Sequence, residues 1–159
     1  MDINVYRTVL NERKQLALQK TGILTIGELE EADCGPEMIV SILQDGFGLY
    51  DVADEYFYLF GLNIRNQIVG IFEVSHGGNC NSLVPIREIF QKTLLMGAVN
   101  IIVAHNHPSG YTDPSELDKE ITERIVKAGE ILDITLLDHI IIGSETPYFS
   151  FCEAGLINA

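Results

Sequence analysis

The sequence predicts a mixed α/β (α+β) domain, with a mixed central sheet flanked by helices. Apolar runs of strand length alternate with stripes of helical period along the chain. Its 159 residues suit one compact domain with a real core. Hydrophobic residues make up 47%, too many for a disordered chain. No internal repeat or low-complexity segment interrupts the pattern.

The first 35 residues carry the weakest signal, with a strand at Val5–Leu10 and a helical or extended piece at Lys14–Lys20. Pro36–Leu43 reads as a helix because Met38, Ile39, Ile42 and Leu43 fall at core spacing; Gly46 and Gly48 end it. Tyr56–Asn63 is an aromatic-rich strand, expected in the core rather than at a dimer surface. The polar turn Arg65-Asn66-Gln67 joins it to a second strand, Ile68–Val74, as a hairpin.

Gly77-Gly78-Asn79 opens a loop, and Pro85 suits the first turn of the next helix. Ile86, Ile89, Phe90, Thr93 and Leu94 form its buried stripe, and Gly97 closes it. Val99–Ala104 is a short apolar run of the kind found in central buried strands. Asp113 is the expected cap of the following helix, with Pro114 in first position and Glu116 reaching back. Leu117, Ile121, Ile125, Ala128 and Leu132 line its inner face. Ile134–Leu137, Ile140–Ile142 and Tyr148–Phe151 supply the last strands.

The net charge is −13, from 10 Lys+Arg against 23 Asp+Glu, which makes a long basic groove hard to build and disfavours nucleic acid as a partner. Cys34, Cys80 and Cys152 are widely spaced, odd in number and without a Cys-x-x-Cys pair, as expected of free thiols in a reducing compartment. The start, Met1-Asp2-Ile3-Asn4, lacks the pattern of a secretory leader, and no apolar run approaches a membrane span.

The chemistry concentrates at His105-Asn106-His107. In a strand, side chains at i and i+2 share a face, so both imidazoles can converge on one point. Pro108-Ser109-Gly110 must turn sharply and bring the next helix back towards them. Ser115 and Asp118 share one face of that helix. Asp118 borders the apolar stripe, and an inward aspartate is costly unless paired or metal-bound. A ligand role is therefore preferred over a solvated helix charge.

Two histidines and a carboxylate make an open, catalytic zinc site, with one position left for water. Zinc can lower the pKa of that water to about 7. Glu73, a carboxylate ending the apolar strand Ile68-Val69-Gly70-Ile71-Phe72, is the candidate general base; a strand end reaching solvent fits it equally. Ser115 is a candidate oxyanion donor or an ordinary first-turn residue. The contiguous His-Asn-His string does not indicate an HNH nuclease, whose named residues are dispersed over a longer motif.

A glutamate, then His-x-His, seven residues, Ser, two residues and Asp resembles the JAMM signature of JAB/MPN metalloproteases. Here it reads Glu73, His105, His107, Ser115 and Asp118. Arg87-Glu88-Ile89-Phe90, the run from Ala104 to Gly110, and the run from Leu136 to Gly143 resemble the RadC branch. The likeness covers roughly residues 40–159, with 1–39 as an N-terminal extension packing on that domain.

The resemblance implies the JAB/MPN fold, related to deaminase-like architectures. It implies a zinc peptidase or isopeptidase of the bacterial cytoplasm, with one zinc per chain on His105, His107 and Asp118. Glu73 would activate the water and Ser115 would stabilise the tetrahedral intermediate. The implied partner is a peptide or protein, such as a ubiquitin-like conjugate. Asp138 and His139 match the RadC pattern outside the metal signature, and a structural or ligand-supporting role is expected of His139.

Three features depart from that pattern. Tyr111-Thr112-Asp113 replaces the usual middle of the loop, and the proline before the second helix moves one place earlier, to Pro85. Residues 1–35 do not resemble the helix-hairpin-helix of longer members. The rival expectations are a metal-dependent nucleic-acid-processing protein in repair or recombination, and a non-catalytic MPN scaffold; filled ligand positions place the scaffold last.

Overall fold

The computed structural model describes residues 2–25, 34–49, 52–77, 84–145 and 148–157. Cys80 and the expected loop residues Gly78 and Asn79 lie outside them. Among the described residues, seven strands form one mixed sheet, in the order β2-β1-β4-β3-β5-β6-β7. Their ranges are β1 Asp2–Leu10, β2 Leu16–Thr25, β3 Glu55–Leu62, β4 Ile68–Gly77, β5 Asn100–Asn106, β6 Thr135–Ile142 and β7 Tyr148–Ser150. The helices are α1 Pro36–Ser41, α2 Ile86–Met96 and α3 Glu116–Leu132. A π-helical turn, Ile42–Gly46, extends α1.

The β1–β4 and β5–β6 pairs are parallel, and the other neighbours are antiparallel. Strand alternation sends side chains to two apolar layers. On one face, Phe57, Leu59, Phe72, Ile101, Val103 and Ile141 pack with Ile89 and Phe90 of α2 and Ile121 and Ile125 of α3. On the other, Tyr58, Phe60, Ile71, Ile102, Ala104 and Ile140 pack with Ile39 and Val40 of α1. The aromatic strand is core, as expected: Phe57, Tyr58, Leu59 and Phe60 are all buried.

Lys14–Lys20 contains no helix. Lys14 ends a turn in left-handed conformation, and β2 begins at Leu16. The Asn11 side chain holds this turn by accepting from the amides of Arg13 and Gln15. Asn63 does the same for Arg65 and Gln67 between β3 and β4, with Asn66 left-handed. Asn-x-Arg-x-Gln is thus one hairpin device used twice.

The two strand segments expected after α3 are one strand, β6. Asp138 does not break it because its carboxylate is satisfied internally. It accepts from the Ser150 hydroxyl at 2.6 Å and from the amides of His139 and Cys152 at 2.7 and 3.0 Å. Leu137 is a bulge, since Ile101 pairs with Leu136 and Ile102 with Asp138. The bulge turns His139 towards the α2/α3 face. No described helix is long and apolar enough to cross a membrane.

Candidate metal centre

β5 delivers His105 and His107 to the α2/α3 face. His105 is fully buried, its ring stacked on Phe57 at 5.7 Å and 11°. His107 lies at the strand end, and its Nδ1 contacts the Tyr111 carbonyl at 2.9 Å. The loop between is folded back on β6. Gly110 adopts φ +82°, and a Cβ on Gly143 would fall 2.2 Å from the Gly110 carbonyl oxygen.

The loop returns the chain to α3. Its cap is Ser115, not Asp113 as expected. Ser115 and Asp118 form a capping box, in which the Ser115 hydroxyl accepts from the Asp118 amide and Asp118 Oδ2 accepts from the Ser115 amide at 2.7 Å. Asp113 is a sound cap by residue type, but this reciprocal pair starts the helix two residues later. The Ser115 hydroxyl also donates to Asp118 Oδ2 at 2.6 Å. To serve an oxyanion, Ser115 must give up that bond.

The cap aims Asp118 at the histidines. Its Oδ1 lies 3.2 Å from His105 Nε2 and its Oδ2 3.5 Å from His107 Nε2. The two Nε2 atoms are 3.0 Å apart. Ligand atoms of the three residues all lie within 4.8 Å of one another. The Tyr111 carbonyl can only accept, so His107 carries its proton on Nδ1 and presents a lone pair at Nε2. Two imidazole nitrogens and a carboxylate at this spacing require a proton or a cation among them. The donor set and its geometry fit zinc.

The electrostatics agree. Burial alone would raise the Asp118 carboxyl, but the facing imidazoles of His105 and His107 and the Ser115 hydroxyl outweigh it and hold the group well below the usual range. The Asp118 hydrogen bond raises His107, against an opposing desolvation. For the metal-free protein, the signs give a pH window. The His107 contribution is present below the ordinary imidazole value of 6.5 and is lost as pH rises through the raised one. The Asp118 contribution is present above 3.8 and is lost as pH falls through the lowered value. Urea unfolding of metal-free protein should therefore show this pair stabilising more at about pH 5.5 than at about pH 8. Saturating zinc should reverse the trend, because metal competes with protons for imidazole. An Asp118→Asn reference carrying the same pH dependence in both states would contradict this.

Glu73 does not join the triad. In register it lies opposite Tyr58, which lies opposite Ala104, on the α1 face. It is exposed, its Oε1 lies 2.6 Å from His76 Nδ1, and its charge and hydrogen bond help burial push the Tyr58 hydroxyl well above its ordinary value. The carboxylate that strand alternation puts on the triad's face is Glu55, which begins β3. Phe57 lies directly opposite His105, and Glu55 is two residues earlier on the same strand face. Its charge is among those that raise His107.

Asn106, between the two histidines, braces this end of β3. Its Oδ1 accepts from the Tyr56 amide at 2.8 Å, and its Nδ2 donates to the Asp54 carbonyl at 3.0 Å. The backbone groups on either side of Glu55 are thus tied to the ligand strand. The signature leaves the glutamate's spacing open, and only the β3–β5 register separates Glu55 from Glu73. Thr122 and His139 complete the surroundings. His139 Nε2 lies 2.9 Å from His105 Nδ1, and His139 Nδ1 lies 2.6 Å from Thr122 Oγ1.

Residues 34–156 match the family model described as RadC-like JAB domain. A UPF0758 protein of Flavobacterium johnsoniae is 42% identical over 106 residues, 67% of this chain and 46% of its own. One from Clostridioides difficile is 48% identical over 103 residues, 65% of this chain and 43% of its own. One from Symbiobacterium thermophilum is 39% identical over 124 residues, 78% of this chain and 52% of its own. The chain spans about half the length of these curated relatives, whose shared name states no activity.

Proposed function

Since the chain belongs to the family of RadC-like JAB domains, we propose that it is a zinc-dependent hydrolase, a peptidase or isopeptidase that activates one water. The observation that carries this reading is the convergence of His105 Nε2, His107 Nε2 and an Asp118 carboxylate oxygen. Zinc held by those atoms supplies Lewis acidity and brings the pKa of a water to about 7.

The protein's own residues do the rest. Asp118 is fixed by its capping box and keeps its charge. Glu55, rather than Glu73, takes the proton from the attacking water and returns it to the leaving amine. Asn106 holds the strand end that carries Glu55. Ser115 orients Asp118 and swings to the developing oxyanion at the expense of its own bond to that carboxylate.

The net charge of −13 opposes a phosphate backbone and favours an amide of a peptide or protein, including a ubiquitin-like conjugate. Free thiols at Cys34 and Cys152 suit a reducing bacterial cytoplasm. A peptide and isopeptide library, screened with zinc-loaded wild type and with Glu55→Gln, tests this. Cleavage by wild type alone is the expected result. Zinc-dependent cleavage of nucleic acid, with every amide left intact, would overturn it.

A further inference from the structure

His139 is fully buried, with a ring nitrogen on each side engaged by a different element. Phe151 stacks on its ring at 4.8 Å and 11°, and Phe57 tilts against it at 5.7 Å. Such a ring cannot flip or swing without breaking the core, so its hydrogen-bond partners decide where its proton sits.

Those partners form a chain with one consistent direction. Thr122 Oγ1 donates to the Asp118 backbone carbonyl at 2.6 Å. A hydroxyl has one proton and a carbonyl has none, so Thr122 can only accept at its 2.6 Å contact with His139 Nδ1. His139 then carries its proton on Nδ1 and has a bare Nε2. That nitrogen, 2.9 Å from His105 Nδ1, accepts the His105 proton. His105 is left with a lone pair on Nε2, the atom that faces His107 and Asp118. The opposite proton order would place a hydrogen on His105 Nε2 and close the metal position.

We propose that Thr122 and His139 are positioning residues that fix His105 in the tautomer able to bind metal. The chain begins at the Asp118 carbonyl and ends at the bare His105 Nε2, which faces the Asp118 carboxylate across the metal position. It thereby ties the helix that supplies one ligand to the strand that supplies the others. This role rests on the zinc reading above, but it concerns residues outside the metal signature.

Zinc affinity, measured by competition with a chromophoric chelator, tests it on the full chain. Thr122→Val removes the hydroxyl at constant volume, and Thr122→Ser keeps it. His139→Phe preserves the stacked ring without its nitrogens. We expect Thr122→Val and His139→Phe to weaken zinc binding by roughly 10–100-fold, with Thr122→Ser near wild type. Long-range proton–nitrogen NMR of the imidazoles should show His105 protonated at Nδ1 in zinc-loaded wild type and Thr122→Ser. Metal-free Thr122→Val should show both His105 tautomers. If wild type binds zinc and Thr122→Val binds it equally well, the relay is wrong and the metal reading stands. If wild type itself takes up no zinc, both fall.

Discussion

Glu55→Gln should abolish hydrolysis while leaving zinc bound, and Glu73→Gln should change neither. Removing a general base typically costs about 10²- to 10⁴-fold in rate. The amide replacement keeps the size of the side chain and its place at the head of β3, so metal content and thermal stability should match wild type. The contrast between the two glutamates carries the prediction. Both resemblance and strand pattern allowed Glu73, yet the β-ladder sends it to the α1 face beside Tyr58 and His76. Glu55 sits two residues from the ring partner of His105. The check is initial rate and bound zinc, side by side, for wild type and both variants. Loss of turnover in Glu73→Gln with full activity in Glu55→Gln would reverse the assignment.

Asp118→Asn should have the second largest effect, because one side chain serves two structures. In the proposed site it would supply the one anionic ligand of the triad, so zinc affinity should fall further than the roughly 10–100-fold typical of outer partners. It also accepts from the Ser115 amide in the capping box at 2.7 Å, and disrupting such a cap costs about 1 kcal/mol of stability. Ser115→Ala separates the two effects. It should lose a comparable amount of stability, about 1 kcal/mol, while retaining zinc. Urea denaturation and metal competition on both variants provide the comparison. An Asp118→Asn protein that bound zinc as tightly as wild type would remove Asp118 from the ligand set.

Local periodicity is what made most of the site readable. His105 and His107 share a face because a strand repeats every two residues, and Asp118 follows Ser115 by one helical turn. Neither fact needs a partner strand. The glutamate does. Which glutamate faces the triad depends on how β3 registers against β4 and β5, and the bulges in the β3–β4 ladder shift that register. Nothing within Ile68–Val74 records which face Glu73 will take. The α3 cap falls at Ser115 rather than Asp113 for a related reason. Asp113 and Ser115 are both good caps, and the choice rests on the reciprocal bonds of Ser115 and Asp118.

The same limit applied elsewhere in the fold. The sequence of Lys14–Lys20 by itself fits helix or strand, because the signal that decides it, the Asn11 turn, lies before the segment. Thr122 gave no sign of function, since a threonine on a helix is ordinary until its neighbour is known. His139 stood out only as part of a familiar run, and its role depends on a bulge at Leu137 that pairing alone reveals. Residues whose work is set by cross-strand register were hidden, whereas those set by local period were visible.

Anomalous diffraction at the zinc edge, from crystals of the full chain grown with zinc, locates the metal outright. One strong peak is expected, about 2.0–2.1 Å from Nε2 of both His105 and His107 and bonded to a carboxylate oxygen of Asp118. No peak among these three residues, or full occupancy at some other cluster, would contradict it.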